Sequence, residues 1–356
     1  MLKKKIAFFI GILILMILLI PTLLVSMASA ESSLSKKTNL ASIKEWKEQP
    51  STKQIQVPTQ PQPTGDILLQ GPTVKVYLTK EKKIVNYPLE HYVRNVVASE
   101  MPADFHIEAL KAQAMAARTY IVDRLKKSHL SDMKKYGDAH VTDTVQHQAF
   151  QTDETLQRNW GSAYQEKIKN LENAVLQTSG QILTYEGKPI YAAFFSTSNG
   201  KTENSEEYFS QAYPYLKSVE SPWDQQSPKF EKTVSMSIQQ MATKLSQKSK
   251  KPLAFPTIAS ENFIITKRST GNRVATIIIG DQKWTGREVR EALGLASSDF
   301  SWEITGDRIT FRTLGFGHGV GMSQWGANLM AKDGKKAEEI VMHYYQGVRI
   351  EPHGLK

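Results

Sequence analysis

A single acidic residue occupies a position where the helical pattern calls for an apolar side chain. Apolar residues recur through residues 89–97 at the spacing of one helical face, and Glu100 continues that face. Pro102 disfavours helical backbone at Met101, so Glu100 should lie in the last helical turn. Burial and the negative end of the helix dipole both disfavour a carboxylate there, so its pKa should rise. The pattern predicts a proton donor near neutral pH, unless Glu100 frays into solvent or pairs with Arg94.

Two cations follow on a second predicted helix, residues 104–125. Asp104 is the expected N-cap, and Glu108 falls in the first turn. Lys111 and Arg118 lie off the apolar stripe, seven residues apart, so they share one side of the helix. Roughly 10 Å separates them along the axis. They form either a basic binding surface or an ordinary solvated helix face.

The third candidate is a glycine-rich stretch, residues 314–327, between a predicted strand and a predicted helix. It lacks the third fingerprint glycine and any Gly-Lys-Ser/Thr sequence, which argues against a nucleotide loop. Trp325 stands where a nucleophile elbow around Ser323 would need glycine. The remaining interpretation is a backbone that approaches a ligand closely, with His318 held among glycines and Ser323 and Gln324 at a helix start.

Two further polar clusters surround a predicted strand pair. Residues 196–203 are rich in hydroxyls and turn formers, and loops held by a rigid strand often carry function. Tyr215, Lys217 and Asp224 add aromatic surface with one base and one acid. A sugar could stack on such a surface, although aromatic residues more often belong to a core.

The sequence predicts neither disulfides nor a metal site. It contains no cysteine, which excludes disulfides and thiolate ligands. His140 and His147 lie near Asp138 and Asp143, but their spacing matches no zinc-binding pattern. We therefore expect no bound metal and no cofactor.

Because the chain is strongly basic, the compartment in which it works decides which class of partner it binds. A net charge of +10 over 356 residues favours nucleic acid inside a cell and anionic polymers or membrane surfaces outside it. Lys3, Lys4 and Lys5 precede an apolar run about long enough to cross a bilayer. We expect residues 1–30 to anchor the chain in the cell membrane with the rest outside the cytoplasm, and hence no nucleic-acid partner. Small residues before Glu31 leave a cleaved signal peptide as the alternative.

The rest of the chain is predicted to fold as α+β, with one main catalytic unit of helices and antiparallel strands. Residues 31–65 are a Pro/Gln-rich linker. The catalytic domain comprises residues 66–228 and a return segment, residues 314–356. Residues 229–313 form an inserted smaller α+β subdomain, to which we assign docking or support. Other predicted elements are a β-hairpin at residues 74–87, a helix at residues 165–178 and a strand at residues 190–195.

Six motifs along the exported part agree with one another. They are Pro88-Leu-Glu-His-Tyr-Val, Ala98-Ser-Glu-Met-Pro, Glu108-Ala-Leu-Lys-Ala-Gln-Ala-Met-Ala-Ala-Arg-Thr-Tyr, Phe195-Ser-Thr-Ser-Asn-Gly, Tyr213-Pro-Tyr-Leu-Lys-Ser-Val-Glu-Ser-Pro-Trp-Asp and Gly317-His-Gly-Val-Gly-Met-Ser-Gln-Trp-Gly-Ala. In combination they resemble the SpoIID/LytB family, and the resemblance covers nearly the whole exported part.

The resemblance implies a lytic transglycosylase that cuts peptidoglycan glycan strands lacking stem peptides, during engulfment in sporulation. Glu100 would be the catalytic glutamate, and Lys111 and Arg118 would hold the lactyl carboxylate of a peptide-stripped muramic acid. The full set of implied substrate-binding residues is Lys111, Arg118, Tyr215, Lys217, Asp224 and His318, with Ser196, Thr197, Ser323 and Gln324 beside them.

The resemblance also implies partners and contains one departure. Besides glycan strands, the partners would be a cell-wall amidase (stage II sporulation protein P) and a membrane protein (stage II sporulation protein M). The place would be the septal or forespore-engulfing membrane. Some clostridial relatives carry zinc ligands where this chain has Val141, Gln146 and His147, so we predict no zinc here.

Three other functions stay open at this point. A glycan-binding module could recruit or stimulate an amidase without cutting, and it would not need Glu100. A glycoside hydrolase would need a second carboxylate, Asp224 or Asp143, within about 5 to 10 Å of Glu100. A purely structural tether would leave a glutamate on a buried helix face unexplained.

Overall fold

The computed structural model describes residues 71–127, 130–249, 253 and 262–355. The predicted membrane anchor and linker lie outside these residues. Among the described residues, no helix is both long and apolar enough to cross a bilayer.

Helices and small sheets are interleaved along the described part, and the predicted α+β class is confirmed. The helices are α1 (Leu89–Glu100), α2 (Ile107–Leu125), α3 (Asp153–Trp160), α4 (Tyr164–Gln177), α5 (Ser205–Tyr208), α6 (Ile238–Ser249), α7 (Gly286–Leu293), α8 (Gln324–Lys332) and α9 (Ala337–Tyr344). The strands are β1 (Thr73–Leu78), β2 (Lys83–Pro88), β3 (Val141–Thr142), β4 (Gln181–Tyr185), β5 (Lys188–Pro189), β6 (Phe194–Phe195), β7 (Glu231–Ser237), β8 (Phe263–Arg268), β9 (Val274–Ile279), β10 (Gln282–Thr285), β11 (Phe300–Thr305), β12 (Arg308–Leu314), β13 (Met322–Ser323) and β14 (Arg349–Pro352).

The first helix ends where the sequence predicts. Its last residue is Glu100, because Met101 takes an extended conformation (φ −122°, ψ 147°) before Pro102. Tyr92, Val93, Val96 and Val97 are fully buried on its inner face. The prediction that Glu100 lies in the last turn of this helix is confirmed.

The second helix begins later than predicted. The Phe105 N–H donates to the Pro102 carbonyl at 3.0 Å, which keeps Asp104 in an exposed turn. α2 starts at Ile107, and the ring of His106 accepts the Glu108 N–H at 3.3 Å as its N-cap. The prediction of Asp104 as N-cap was therefore wrong.

α2 is the centre of the main hydrophobic core. It packs against α1, α4, α8 and β4, and its alanines are buried. Small side chains let neighbouring backbones approach closely, while Leu110 and Ile121 bury larger apolar surfaces. Truncating Leu110 to alanine should cost about 2–5 kcal/mol, because the tight packing around it cannot collapse into the space. This rigid helix carries one wall of the cleft described below.

Five small sheets surround the helices of the described part. β1 pairs antiparallel with β2, as the predicted hairpin requires, and parallel with β3. β4 pairs antiparallel with β5 and β14. β6 pairs parallel with β13. The remaining two sheets, β10-β9-β8 and β11-β12-β7, belong to the predicted insert.

The strand predicted for residues 190–195 is mostly irregular. Only Phe194–Phe195 pairs with another strand. The preceding backbone bonds to side chains: the Tyr191 N–H donates to the Tyr215 hydroxyl, and the Ala193 carbonyl accepts from the Tyr345 hydroxyl, each at 2.9 Å. These side chains replace a neighbouring strand, so the prediction of a longer strand was wrong.

A second hydrophobic cluster lies inside the predicted insert. It runs from Met236 to Phe311 and is separate from the main core. Ile277, Ile279 and Val289 are fully buried in it. A core of its own agrees with an inserted subdomain, although the boundaries at residues 229 and 313 stay predictions.

Candidate active site

One cleft, of about 740 Å³, brings ionisable and aromatic side chains together beside the end of α1. The last turns of α2 and residues 145–148 form part of its walls, and residues 190–194 form another part. Its ionisable and large aromatic side chains are Glu100, Tyr120, Asp123, Arg124, Lys127, His147, Tyr191, Phe194, Phe209, Tyr213, Arg287 and His318, of which only Glu100 and His318 were predicted site residues.

Glu100 borders this cleft with a half-buried carboxyl. Its Oε1 accepts the Ala149 N–H at 2.9 Å, and the side chain also bonds to Gln324. Burial raises the pKa of Glu100 above its ordinary value, against the lowering effect of these two hydrogen bonds. Arg94 does not compensate the charge, since it bonds Asp153 and Glu172 instead. The carboxyl can therefore carry a proton to a ligand in the cleft.

A polar stripe that runs along the last turns of α2 and ends two residues beyond the helix faces the same cleft. Tyr120, Asp123, Arg124 and Lys127 follow the i, i+3, i+4, i+7 spacing of one helical face. Lys127 bonds Asp123 at 2.5 Å, and its side chain remains 55% exposed. Arg124 bonds Asp132 at 3.0 Å and the His140 carbonyl at 2.8 Å. Sequence analysis missed this stripe, although its spacing in a largely apolar helix was a usable signal.

Aromatic rings line the opposite side. Tyr191 and Tyr213 stack with centroids 5.4 Å apart and planes 19° apart, and Phe209 meets Tyr191 edge-on at 5.6 Å. The side chain of Tyr191 is partly exposed, as a platform for a ligand would require. The irregular backbone of this segment, which the sequence pattern presented as a strand, is what turns Tyr191 towards the cleft.

His318 reaches the cleft from the glycine-rich stretch. Its Nδ1 accepts the Val320 N–H at 3.1 Å, and the ring also bonds the Phe194 backbone. Burial, with nearby Arg290 and Arg273, lowers the pKa of His318 to about 3. The imidazole is therefore neutral at physiological pH, with both nitrogens engaged, and it serves as a fixed wall rather than as an acid or base.

The glycines around His318 allow close backbone contacts. A side chain at Gly321 would place its Cβ 2.0 Å from the Ala193 carbonyl oxygen, and Gly321 has a φ of +78°. The close neighbour at Gly321 is the protein's own segment 190–195, and an approach of this backbone to a ligand stays a prediction.

The inserted subdomain also contributes to the cleft. Arg287, in the first turn of α7, lines it with a side chain that is 50% exposed. It bonds Glu291 at 2.8 Å and lies 4.6 Å above the ring of Tyr208. The assignment of the predicted insert to docking or support stays a prediction, to which Arg287 adds a residue on the cleft wall.

Lys111 and Arg118 do not line the cleft. Lys111 bonds Glu108 at 3.0 Å, and Glu108 in turn accepts the Ala337 N–H at 2.8 Å. Arg118 is fully buried and bonds the Glu90 carboxylate through Nε and Nη2, the latter at 2.6 Å. Both cations hold the framework together, and no solvent path reaches the Arg118 guanidinium. Its burial contradicts the expectation that Arg118 binds a substrate carboxylate, while for Lys111, whose side chain is 19% exposed, that expectation stays a prediction.

Tyr215 and Lys217 also lie off the cleft wall. Tyr215 is buried behind the aromatic platform, where its hydroxyl accepts the Tyr191 N–H. Lys217 forms an ion pair with Glu206 at 2.7 Å on the surface. Tyr215 therefore supports a cleft residue from behind, while Lys217 has no contact with the site.

Asp224 is enclosed in a network of hydroxyl groups. It accepts from the Ser221 and Ser323 hydroxyls, each at 2.6 Å, and from the Ser198 N–H at 2.9 Å. Burial raises the pKa of Asp224 to about 6. Ser323 also caps α8 by accepting the Gly326 N–H. These residues join the loop 196–203 to the start of α8, and none of them lines the cleft.

The other predicted hydroxyls belong to the same crossing of loops. Ser196 accepts the Trp325 N–H through its carbonyl at 3.0 Å, and the buried Thr197 hydroxyl bonds Ser227 at 3.2 Å. Gln324 is different, because its buried side chain touches both Glu100 and Gln113. It connects the loop crossing to the candidate catalytic group.

A hydrolase would need a second carboxylate near Glu100, and the two predicted candidates are not in the cleft. Neither Asp224 nor Asp143 lines the cleft; Asp143 accepts from Thr79 instead. Asp123 does line it, but it is paired with Lys127. Among the described residues, no group of three or more His, Cys, Asp or Glu side chains could hold a metal ion.

Comparison with known proteins places this site within a family. Residues 77–185 match the family model SpoIID, described as stage II sporulation protein. The matched part contains Glu100 and the polar stripe of α2, and it ends before Arg287 and His318.

Full-length relatives extend the similarity over almost the whole chain. Stage II sporulation protein D of Bacillus amyloliquefaciens is 45% identical over 98% of this chain and 96% of its own length. The protein of that name from Bacillus subtilis (strain 168) is equally similar, with 45% identity over the same shares. An amidase enhancer of Bacillus subtilis (strain 168) is 28% identical over 72% of this chain and 40% of its own length.

Proposed function

The chain belongs to the stage II sporulation protein D family, and from this premise we propose that it is a peptidoglycan lytic transglycosylase. It cleaves the bond between N-acetylmuramic acid and N-acetylglucosamine in glycan strands stripped of stem peptides, during engulfment. The observation that carries the proposal is the Glu100 carboxyl, whose pKa burial raises, at the edge of a cleft large enough for sugar rings.

One carboxyl group suffices for this reaction. Glu100 gives its proton to the glycosidic oxygen, and the N-acetylglucosamine side leaves as an alcohol. The C6 hydroxyl of the muramic acid then attacks its own C1, and the Glu100 carboxylate takes the hydroxyl proton. The product is a 1,6-anhydro end, no water is consumed, and Glu100 is again protonated. A hydrolase would instead need a second carboxylate to activate water.

The walls of the cleft supply binding groups for such a strand. The exposed face of Tyr191 stacks against a pyranose ring. Lys127 and Arg287, both half exposed, attract the lactyl carboxylate that becomes free when an amidase removes the peptide. They take the role that the sequence suggested for Lys111 and Arg118. A strand that still carries its peptides has no such carboxylate, which explains a preference for stripped strands.

The first experiment follows the products of cleavage by mass spectrometry. Full-length wild type and Glu100→Ala act on peptide-stripped glycan strands, with Glu81→Ala as a control because Glu81 is an exposed glutamate on the β1–β2 turn. We expect anhydro-muramic ends from the wild type and the control, and none from Glu100→Ala. Reducing ends would replace the proposal with hydrolysis and make Asp123 the second carboxylate to test.

A second candidate function is a glycan-binding module that recruits or stimulates an amidase without cutting. It is favoured by the similarity to a protein named amidase enhancer. Strands that stay intact with wild type and Glu100→Ala alike, while both proteins bind them, would support it. Increased amidase activity on addition of either protein would then identify the partner.

The setting completes the proposal. The basic N-terminus with its apolar run anchors the chain in the cell membrane, and the cleft works outside the cytoplasm. An amidase, stage II sporulation protein P, supplies stripped strands, and the membrane protein stage II sporulation protein M holds the assembly. Co-purification of the full-length protein from engulfing cells tests both partners. If the purified protein still binds glycan strands but carries no amidase, the amidase is not a partner.

A further inference from the structure

A short loop covers Glu100 and supplies the N–H that bonds its carboxyl. The loop, residues 143–150, is called here the cover loop. Its Ala149 N–H donates to Glu100 Oε1 at 2.9 Å. Further out, the side chain of Val145 is 89% exposed, so little packing holds the tip in place. Next to Ala149, Phe150 is buried and stacks on Tyr92, so the core holds this end of the loop and side-chain bonds hold the exposed part.

Polar side chains of the loop bond residues outside it, among them Thr144, whose hydroxyl lies 3.0 Å from the Thr142 hydroxyl. Asp143 accepts from the Thr79 N–H at 3.1 Å and from its hydroxyl at 2.9 Å. Gln148 accepts the Tyr92 hydroxyl at 3.1 Å. His147 bonds two residues outside the loop, Thr142 and Asp132.

The His147 ring is fixed in one tautomer by its partners. Nδ1 lies 3.2 Å from the Thr142 nitrogen and 2.7 Å from the Thr142 hydroxyl, and Nε2 lies 2.9 Å from Asp132. Since a backbone N–H can only donate, Nδ1 is unprotonated and Nε2–H donates to Asp132. Burial lowers the pKa of His147, which keeps this neutral form. Its side chain is 2% exposed.

Asp132 passes the connection on to the cleft wall. Its carboxylate accepts from Arg124 Nη2 at 3.0 and 3.1 Å, and Arg124 belongs to the polar stripe of α2. Thr142, His147, Asp132 and Arg124 thus form a chain of bonds, called here the clasp, between the cover loop and α2. The loop and Glu100 are positioned against the same rigid helix.

We propose that His147 is a positioning residue for Glu100, because the clasp holds the cover loop at the height where the Ala149 N–H meets the Glu100 carboxyl. A donor to a carboxylate stabilises its charged form, so the clasp counteracts the effect of burial and sets how readily the proton leaves. The activity readout rests on the proposed function, while the position of the loop can be measured without it.

Changes at His147 reach Glu100 through the loop backbone. The charged or titratable groups that line the cleft with Glu100 are Tyr120, Asp123, Arg124, Lys127, His147, Arg287 and His318, with the phenols of Tyr191 and Tyr213 as further walls. Within the part of the chain that the structure describes, no hydrogen bond or ion pair joins these groups to the Glu100 carboxyl.

The test compares full-length wild type with His147→Ala. Hydrogen exchange followed by mass spectrometry reports on residues 143–150, and we expect exchange of the Ala149 amide to speed up at least about tenfold. On stripped strands, kcat should fall on the order of tenfold with little change in KM, since binding groups stay in place. Loss of an N–H donor raises the Glu100 pKa, so the alkaline limb of the pH profile should move to higher pH.

Three further variants separate positioning from stability. Asp132→Ala opens the clasp from its far side and should reproduce the shift, and the double variant His147→Ala/Asp132→Ala should add little to either single change. His147→Asn keeps an acceptor for Thr142 and should recover part of the protection. His140→Ala is the matched control, because His140 accepts the Lys75 N–H in the same segment but does not line the cleft.

Failure of the positioning inference and failure of the proposed function give different results. A His147→Ala protein that is destabilised like His140→Ala, but has wild-type exchange at Ala149 and an unmoved pH profile, would overturn the inference. If wild type does not cleave strands, the proposed function fails by itself. Exchange at Ala149 and a carbon-13 titration of the Glu100 carboxyl then still decide whether the clasp acts on that group.

Discussion

Two carboxyl groups, Glu100 and Asp224, share a pKa raised by burial and differ in how accessible they are. Asp224 is sealed among Ser198, Ser221 and Ser323, whereas Glu100 borders a cleft of about 740 Å³. A raised pKa therefore reports enclosure in the protein. Only the carboxyl that a ligand can reach is able to donate its proton in a reaction.

The same difference separates two arginines. Arg118 is 0% exposed and is held by Glu90, while the Arg287 side chain is 50% exposed on the cleft wall. Sequence motifs drew attention to the first and passed over the second. Framework charges should therefore affect folding when changed, and cleft charges should affect turnover.

The largest expected effect sets the two carboxyls against each other. Glu100→Gln removes the carboxyl that donates one proton and accepts the other in the mechanism, and kcat should fall about 10³- to 10⁴-fold while the unfolding transition stays close to wild type. Asp224→Asn should keep kcat within about tenfold and lower the unfolding midpoint, because an amide cannot accept all the donors around it. Initial rates and urea titrations of both variants provide the measurement. Equal losses of kcat in two well-folded variants would erase the distinction.

The next effect concerns the buried arginine. Arg118→Ala leaves the Glu90 carboxylate buried without its partner, which should lower the free energy of unfolding by about 3–5 kcal/mol. Lys111→Ala is the control on the same helix, and it should cost less than about 1 kcal/mol because its pair with Glu108 is partly solvated. Denaturant titration measures both. An Arg118→Ala protein of normal stability that binds stripped strands weakly would restore the original assignment of Arg118 to substrate.

The smallest effect sharpens the role of the cleft cations. Arg287→Ala should lower kcat/KM about tenfold on stripped strands with free lactyl carboxylates. On strands whose carboxylates have been converted to amides, wild type and variant should be equal. Arg308→Ala, an exposed arginine on β12 of the same subdomain, is the matched control. A loss that is the same on both substrates would assign Arg287 to the structure of the wall instead of to carboxylate recognition.

The position of Glu100 at the end of α1 could be predicted from the sequence because it depends on nearby residues alone. A helical face and a proline two residues further on fix where α1 ends, and both can be read from a dozen residues. The class of fold and most elements of the insert follow from the same kind of local periodicity. The start of α7, for example, is marked by a capping box that spans four consecutive residues from Thr285 to Glu288.

The cleft could not be read in this way because its walls come from distant parts of the chain. Arg118 is buried by Glu90, 28 residues away, and an arginine off an apolar stripe gives no sign of such a partner. Tyr191 faces the cleft because side chains of Tyr215 and Tyr345 replace a strand neighbour. Of the cleft walls, only the stripe from Tyr120 to Lys127 could have been predicted from the sequence, since its residues repeat at helical spacing.

The proline after α1 has a consequence for angles as well as for helix length. Each helical residue turns the side-chain direction by about 100° and advances it by 1.5 Å. Since Tyr92 and Val93 fix the inner face of α1, one alanine inserted after Val97 would swing Glu100 about 100° around the axis, away from Ala149. Moving the glutamate one position earlier in this insertion variant should point the carboxyl towards Ala149 again. The number of residues between the inner face of α1 and Pro102 thus determines the direction in which Glu100, the candidate catalytic residue, points.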